Sequence, residues 1–194
     1  MAPMPSHERQ TLSDELRAML IDVARRSIQH GLTHGRPLQV NPLDYPEPLR
    51  EQRASFVTLN RSGQLRGCIG HLEAVAPLVV DVAENAFAAA FRDPRFPPLS
   101  AGEFDDLEIH ISVLSPPEPM SFTSESDLLG QIRPGVDGLI LEDGHAKGTF
   151  LPSVWESLPN PRDFLAHLKV KAGLPPTHWS PSVKVYRYET ESFS

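Results

Sequence analysis

Residues 65–70 read Leu-Arg-Gly-Cys-Ile-Gly, within a segment that is typical of a β-strand. Gly67 and Gly70 are unusual there, because a glycine weakens a strand and commonly marks a bulge or a close approach of another backbone or a ligand. Side chains alternate along a strand, so Arg66 and Cys68 are predicted to share one face while the leucine and isoleucine point to the other. The stretch therefore predicts a polar face that carries the chain's only cysteine, opposite an apolar face.

This hexamer is the second strand of a predicted hairpin, whose turn contains Gly63. An amphipathic helix follows, and it is predicted to end near Asp93, because Pro94 disfavours helical geometry in the residue before it. Alternating apolar and polar residues then predict a strand. The predicted order is a hairpin (55–59 and 65–69), a helix (77–93) and a strand (107–114).

The second half of the chain repeats this order. A turn at Asp143-Gly144-His145 joins two strands, and the next helix begins with a cap at Asn160, a proline at its first position and a closing Gly173. The repeat consists of a hairpin (138–142 and 146–151), a helix (160–173) and a β-rich segment (182–189). Since residue identity between the halves is low, the repeat is one of architecture.

An amphipathic helix over residues 12–31, with Gly31 as its stop, precedes both copies. We therefore predict an α+β protein in which residues 12–194 form a compact two-lobed unit after an N-terminal tail, 1–11. The internal repeats cover approximately 54–115 and 136–190. Neither copy has enough apolar residues to be self-sufficient, so the copies are predicted to share a curved, mostly antiparallel sheet with helices outside.

Composition excludes several classes of protein. The chain has 194 residues, with 18 Lys and Arg against 25 Asp and Glu. Its net charge of -7 disfavours binding to nucleic acid through the overall charge of the protein. Two Trp and three Tyr also argue against an aromatic stacking platform for RNA. One cysteine forms no internal disulfide, no apolar run approaches membrane-spanning length, and the opening MAPMPSHERQ lacks the features of a secretory signal. A cytoplasmic protein with no membrane segment is expected.

Four further motifs follow the hexamer: Asp93-Pro94-Arg95-Phe96, Ile111-Ser112-Val113-Leu114, Phe150-Leu151-Pro152 and Lys171-Ala172-Gly173-Leu174. Together, and in this order, they resemble segments of the AMMECR domain family, from roughly the first helix to the C-terminus. The resemblance implies a two-lobed α+β fold. Relatives of the AmmeMemoRadiSam system type are considered alongside a Memo-like protein and a radical SAM protein, so the resemblance implies these two as partners and assigns no reaction.

Cys68 has two interpretations. As a nucleophile or a metal-binding thiol it would be favoured by Arg66, because a neighbouring cation promotes the thiolate form. As a core residue it would be inert, since free cysteine is among the most buried residue types. Nucleophilic chemistry also needs a base, and Glu108 and His110 share one face of their predicted strand. Cys68, Glu108 and His110 are thus candidate catalytic residues, although a lone histidine beside a sheet is usually structural.

The candidate ligand-binding residues surround the hexamer. Arginine side chains bind phosphate or carboxylate through paired donors, which predicts an anion pocket and a small anionic ligand. The alternative is an aspartate that caps its own loop, arginines on the surface and glycines that serve tight packing. The residues concerned are Arg66, Gly67, Gly70, Arg92, Asp93 and Arg95.

No metal site is predicted. Cys68 and His71 have a C-x-x-H spacing, but no second pair completes a four-ligand zinc site. His30 and His34 would share a helix face only if the first helix continued past Gly31. The sequence also assigns no cofactor: it contains no phosphate-binding loop and no dinucleotide fingerprint.

Two classes of function remain. The first is a small enzyme that acts on an anionic substrate at a cleft around residues 65–70, within a modification system. The second is a non-catalytic adaptor that uses the same face to present a substrate or to dock the Memo-like or radical SAM partner.

Overall fold

The structure is a computed structural model, and it describes residues 11–194. The predicted tail, apart from residue 11, lies outside the described residues, as does the opening MAPMPSHERQ on which the absence of a signal was predicted. Within residues 11–194, no helix is both long enough and apolar enough to cross a membrane.

The helices and strands alternate along the chain as follows. The α-helices are α1 (Asp14–His34), α2 (Glu47–Arg50), α3 (Leu78–Phe91), α4 (Glu125–Gln131) and α5 (Pro161–Lys171). The strands are β1 (Ser55–Arg61), β2 (Gln64–Gly70), β3 (Leu107–Leu114), β4 (Glu118–Pro119), β5 (Gly138–Asp143), β6 (Ala146–Phe150), β7 (Lys184–Tyr188) and β8 (Thr190–Phe193). Short 3-10 helices cover Pro42–Asp44, Ala101–Asp106 and Pro152–Glu156.

The strands form two four-stranded sheets, which confirms the α+β class but replaces the one shared sheet that the sequence predicted. The order in the first sheet is β2-β1-β3-β8, and the order in the second is β4-β7-β5-β6. In each sheet the first strand of a hairpin lies between its hairpin partner and the strand that follows the next helix, and it pairs antiparallel with both. Among the strands of residues 11–194, β2 and β6 lie at sheet edges, so one side of each backbone has no neighbouring strand there.

The chain divides into two compact units. Of the described residues, the first unit comprises 11–113 together with Glu191–Ser194, and the second is Leu114–Thr190. In the first unit, α3 contacts both α1 and the β1–β2 hairpin, and a core of buried apolar residues fills the space between these elements. In the second unit, α5 contacts β6, and a separate core joins α4 and α5 to β5 and β7.

Helix α1 continues past its predicted stop, so the prediction that Gly31 ends it was wrong. The helix ends at His34, and Gly35 supplies the left-handed cap with a φ of +68°. Gly31 has a packing role instead, because a Cβ at this position would overlap the rings of Phe87 and Phe91 on α3.

The predicted first hairpin is confirmed, with a tighter turn than its sequence suggested. β1 ends at Arg61 and β2 begins at Gln64, so the turn consists of Ser62 and Gly63, whose φ angles are +53° and +74°. Two consecutive positive φ values are typical of the hairpin turn that matches strand twist. In the ladder, Gly67 lies opposite Leu59 and Leu65 opposite Asn60, so Arg66 is the extra residue of a bulge.

Gly67 brings the backbone of β2 directly against helix α3. A Cβ at this position would overlap the backbone carbonyl oxygen of Ala89. The same device occurs in the second unit, where a Cβ on Gly148 of β6 would lie 2.9 Å from the backbone nitrogen of Ala172, at the end of α5. In both units, therefore, the second strand of the hairpin uses a glycine to approach the end of the following helix.

We expect Gly67→Ala to destabilise the protein by about 3 kcal/mol, because the helix backbone cannot move aside as a flexible side chain would. Gly102→Ala is the matched control, since no atom lies within 4 Å of the position of its Cβ. The measurement is urea unfolding of both variants beside the parent chain. Equal stability of the two variants would contradict the role assigned to the close approach.

Candidate functional site

Cys68 lies in the edge strand β2 and is partly exposed. Gly67 faces α3, so the next residue along the strand, Cys68, faces the opposite side of the first sheet. Its cross-strand partner on β1 is Thr58, and the Thr58 Oγ1 atom lies 3.1 Å from the Cys68 Sγ atom. The group in contact with the thiol is therefore a hydroxyl.

Asp93 and Arg95 take the place of a neighbouring strand at this edge. The Cys68 backbone N–H donates to Asp93 Oδ2 at 3.0 Å, and Arg95 Nη2 lies 3.5 Å from the Cys68 carbonyl oxygen. The backbone N–H and the carbonyl oxygen of Cys68 thus both meet side chains at the place where a neighbouring strand would otherwise pair. The Asp-Pro-Arg-Phe motif therefore fixes the backbone at the cysteine.

Asp93 and Arg95 are themselves a close ion pair. Arg95 donates through Nε to Asp93 Oδ1 at 3.0 Å and through Nη2 to Oδ2 at 2.7 Å. The bonds from Arg95 hold the pKa of Asp93 well below its usual range, against the opposing effect of burial. The Asp93 side chain is only 2% exposed and the Arg95 side chain is 55% exposed, so the arginine presents the solvent side of the pair.

Arg66 is buried and belongs to a second ion pair. It donates to Glu103 through Nε at 2.8 Å and through Nη2 at 3.2 Å, and its Nη2 also donates to the carbonyl oxygen of Pro97 at 2.9 Å. The bonds from Arg66, together with those from Ser100, lower the pKa of Glu103 from 4.5 to about 2. Among the described residues, Arg66 Nη1 is a buried side-chain nitrogen without a hydrogen-bond partner.

The structure brings together two of the three arginines predicted for an anion pocket. The guanidinium groups of Arg66 and Arg95 lie 5.8 and 5.5 Å from the centre of the Phe96 ring. Arg92 instead lies 4.9 Å over the ring of Phe87. An incoming anion would compete for Arg66 and Arg95 with carboxylates that already bind them.

His110 lies in the same row of side chains as Cys68, but on the far side of β1. The register pairs Thr58 with both Cys68 and His110, which places the thiol and the imidazole two strands apart, about 10 Å in a regular sheet. Glu108 is on the same face, and its Oε2 lies 4.0 Å from His110 Nε2. The three candidate catalytic residues share a face, with Thr58 between the thiol and the imidazole. We call this surface, formed by Cys68, Thr58 and His110, the thiol face.

Both glycines of the hexamer are surrounded by protein atoms. The position of a Cβ on Gly67 is taken by the Ala89 carbonyl group, and that on Gly70 by the Phe56 ring and the Ser55 carbonyl oxygen. These contacts account for both glycines through packing, which was the alternative to close approach of a ligand.

A buried polar cluster near the end of β2 was missed by the sequence reasoning. The Ser55 hydroxyl donates to Asp81 Oδ2 at 2.6 Å, the Asn85 amide donates to the same oxygen at 2.9 Å, and His71 Nε2 lies 3.4 Å from Asp81 Oδ1. Burial raises the pKa of Asp81. The available signal was an acid and an amide one turn apart within a largely apolar stretch of α3.

In the second unit, Asp143 at the end of β5 accepts hydrogen bonds from Ser180 at 2.8 Å and Ser182 at 2.5 Å, and lies 2.6 Å from His178 Nε2. These contacts lower the pKa of Asp143 to about 2. The serines bind the carboxylate rather than the imidazole, so this set lacks the order of a nucleophilic triad. Within residues 11–194, no group of three or more His, Cys, Asp or Glu side chains is arranged to hold a metal ion.

The chain matches proteins of archaea along most of its length. The family model described as AMMECR1 matches residues 21–193. A protein of Methanothermobacter thermautotrophicus is 43% identical over 180 residues, which cover 90% of this chain and 91% of that protein. A protein of Thermofilum pendens is 38% identical over 198 residues, covering 94% and 91%. The crystal structure of an uncharacterised protein from Pyrococcus horikoshii matches with a TM-score of 0.84 and 39% identity, over 93% of this chain and 92% of that one.

We expect Glu103→Gln to lower the free energy of unfolding at pH 7 by about 2 kcal/mol, because buried Arg66 loses its charged partner. The pKa of Glu103 is lowered in the folded protein, so its stabilising effect is present above pH 4.5 and is lost as the pH falls toward about 2. The difference between parent and variant should shrink over that range.

Asp106→Asn is the matched control, since the Asp106 side chain is 62% exposed and contacts Arg61 at 3.4 Å. Urea unfolding across the pH range measures both variants. A loss in Glu103→Gln that does not change with pH, or an equal loss in the control, would contradict the ion pair's role.

Proposed function

This chain belongs to the AMMECR1 family, and we propose that it is a ligand-binding protein whose site is the thiol face of the first sheet. One observation carries the proposal: Cys68, Thr58 and His110 form a row across three strands, and each is partly exposed. Thiol, hydroxyl and imidazole groups together offer hydrogen-bond donors and acceptors to one bound molecule.

The support around Cys68 suits a binding site. Asp93 and Arg95 bind the backbone N–H and the carbonyl oxygen of Cys68, so the backbone that carries the thiol is held in place before a ligand arrives. Preorganisation of this kind reduces the entropy that binding must overcome. The thiol contacts a hydroxyl and is about 10 Å from the imidazole, which favours binding over nucleophilic catalysis.

Arg95 favours a second candidate, a small enzyme that acts on an anionic substrate. Its side chain is 55% exposed and its Nη2 lies 3.5 Å from the Cys68 carbonyl oxygen, so an anion could reach the guanidinium beside the thiol. In this candidate Cys68 is the nucleophile, Arg95 binds the substrate's negative group, and His110 would need substrate or water to connect it with the thiol.

From the motif resemblance alone, we also propose a place in an AmmeMemoRadiSam system, with a Memo-like protein and a radical SAM protein as partners. Here the protein would bind or present the substrate on the thiol face, and the partner would carry out the reaction. With a single cysteine, this chain does not itself carry the three-cysteine cluster of a radical SAM enzyme.

Alkylation by iodoacetamide distinguishes the ligand-binding protein from the enzyme, and the single cysteine makes the readout specific. We expect Cys68 to react in the folded protein, since it is partly exposed, and its rate is compared from pH 6 to pH 8 between the parent chain and Arg95→Gln. Arg95→Gln should leave this profile unchanged. The measurement is the mass of the intact protein against time at each pH.

Two outcomes would overturn parts of this proposal. If Cys68 reacts only in urea, the thiol face is closed and the ligand site is lost. If the folded protein reacts as fast at pH 6 as at pH 8, and Arg95→Gln restores the ordinary dependence, the enzyme replaces the non-catalytic candidate.

The partner proposal has its own test. The purified chain is mixed with a purified Memo-like protein and, separately, with a radical SAM protein from the same source, and native mass spectrometry records any complex. A complex that persists in the parent chain and is weakened by His110→Ala supports docking at the thiol face, with exposed His145→Ala as the control. No complex with either protein removes the partner proposal and leaves the ligand site to be judged by alkylation.

A further inference from the structure

Around the thiol face, the side of the first sheet that faces away from α3 carries polar groups and one aromatic ring. Along residues 55–60 and 107–113, buried residues alternate with partly or fully exposed ones, and the exposed set lies on the same side as Cys68. Beside the thiol face, this set comprises Phe56, Asn60, Glu108 and Ser112. We call the thiol face together with these four residues the outer surface.

Phe56 lies in the row next to the thiol face. The register pairs Phe56 with Gly70 on β2 and with Ser112 on β3, and this row is two residues, or roughly 7 Å, along the strands from the thiol face. The Ser112 hydroxyl lies 2.8 Å from the Ser192 hydroxyl on β8. Hydroxyl groups therefore flank the aromatic ring, both in its own row and in the thiol face.

The Phe56 ring lies on the backbone of β2 and outside both apolar cores. A Cβ at Gly70 would overlap this ring, so the strand needs a glycine to make room for it. The partly buried apolar side chains of residues 11–194 that pack against either core do not include Phe56. Since Phe56 is partly exposed, its ring is available to a ligand on the outer surface.

On the basis of the ligand site proposed above, we infer that its ligand is a neutral saccharide, whose ring lies on Phe56 and whose hydroxyl groups bond to the thiol face. One side of a sugar ring presents C–H groups, and these are attracted to the negative face of an aromatic ring. The hydroxyl groups around the sugar both donate and accept hydrogen bonds. The hydroxyls of Thr58 and Ser112 and the imidazole of His110 also donate and accept, so the two sets of groups are complementary.

The charges on the outer surface favour a saccharide over a nucleic acid. A nucleobase also stacks on an aromatic ring of an open sheet, so single-stranded RNA is the competing ligand. Residues 56–60, 67–70 and 107–113 contain no lysine or arginine to bind its phosphates, and Arg95 at the sheet edge is already paired with Asp93. The carboxylate of Glu108, whose side chain is 59% exposed, repels phosphate and accepts hydrogen bonds from sugar hydroxyls.

Saturation-transfer NMR of the full-length chain with neutral saccharides tests the site. The probes are glucose, galactose, mannose and N-acetylglucosamine, and the disaccharides maltose, cellobiose and lactose. We expect binding, and the saccharide with the strongest signal is then titrated into each variant. Phe56→Ala should weaken binding by about tenfold because stacking is lost, and Phe56→Trp should retain it. Thr58→Val, which removes a hydroxyl at nearly constant shape, should weaken binding by about fivefold.

Leu43→Ala is the matched control, because Leu43 is an apolar residue outside this surface that is 73% exposed, and this variant should bind like the parent. Urea unfolding of each variant shows whether the fold is intact, and if Phe56→Ala fails to fold, Thr58→Val decides. The proposal would be overturned if none of the saccharides binds the parent chain, or if the folded variants bind as tightly as the parent.

Alkylation of Cys68 separates a failure of the saccharide proposal from a failure of the ligand site itself. A bound saccharide should slow the reaction of iodoacetamide with the folded chain, and binding that does not slow it would contradict the placement on the outer surface. If no saccharide binds but Cys68 still reacts, the thiol face stands and the ligand class is wrong. A short polyuridylate that then protects Cys68 would replace the saccharide with RNA. If Cys68 reacts only in urea, both proposals fail.

Discussion

The contact between Gly67 of β2 and the Ala89 carbonyl group on α3 constrains the rest of the first unit. Only a residue without a Cβ lets the strand lie this close to the helix. Because α3 occupies that side, the following residue must face the other side of the sheet, and this residue is Cys68. The partly exposed thiol is thus a consequence of packing, whichever chemistry uses it.

The second unit has the same close approach of a strand glycine to a helix, but the residue that follows the glycine is different. Gly148 approaches the end of α5 as Gly67 approaches α3, and the residue after each glycine is Cys68 in one case and Thr149 in the other. The Thr149 hydroxyl bonds to the Leu139 carbonyl oxygen at 2.9 Å and lies 3.0 Å from the hydroxyl of buried Tyr188. In the first unit, Cys68 and His110 stay partly exposed. The corresponding row of the second unit is Thr149, Ile140 and Tyr186, and its middle residue is a buried apolar side chain where the first unit has the hydroxyl of Thr58.

Sequence periodicity was sufficient for the hairpins, for the main helices and for the loop that begins at Asp93, because alternation and proline geometry act locally. It was insufficient at Gly31, since a glycine that ends a helix and one that receives two aromatic rings from another helix have the same local sequence signal. Helix α4 was not predicted because its seven residues include few apolar ones. The carboxylate partner of Arg66 could not be predicted from the sequence either, because the Arg66–Glu103 ion pair joins residues 37 positions apart.

Those ion pairs bear on what the thiol face can recognise. Arg66 is held by Glu103 and Arg95 by Asp93, and the low pKa values of both acids keep the carboxylates charged at neutral pH. An anion that approaches therefore meets paired charges, and its attraction to the guanidinium groups is largely offset by repulsion from the carboxylates. A neutral group that forms hydrogen bonds with Thr58, His110 and Cys68 is not repelled by these carboxylates. The charge balance accordingly favours a ligand that is recognised by hydrogen bonding, with Arg95, the exposed member of its pair, as the route by which negative charge could contribute.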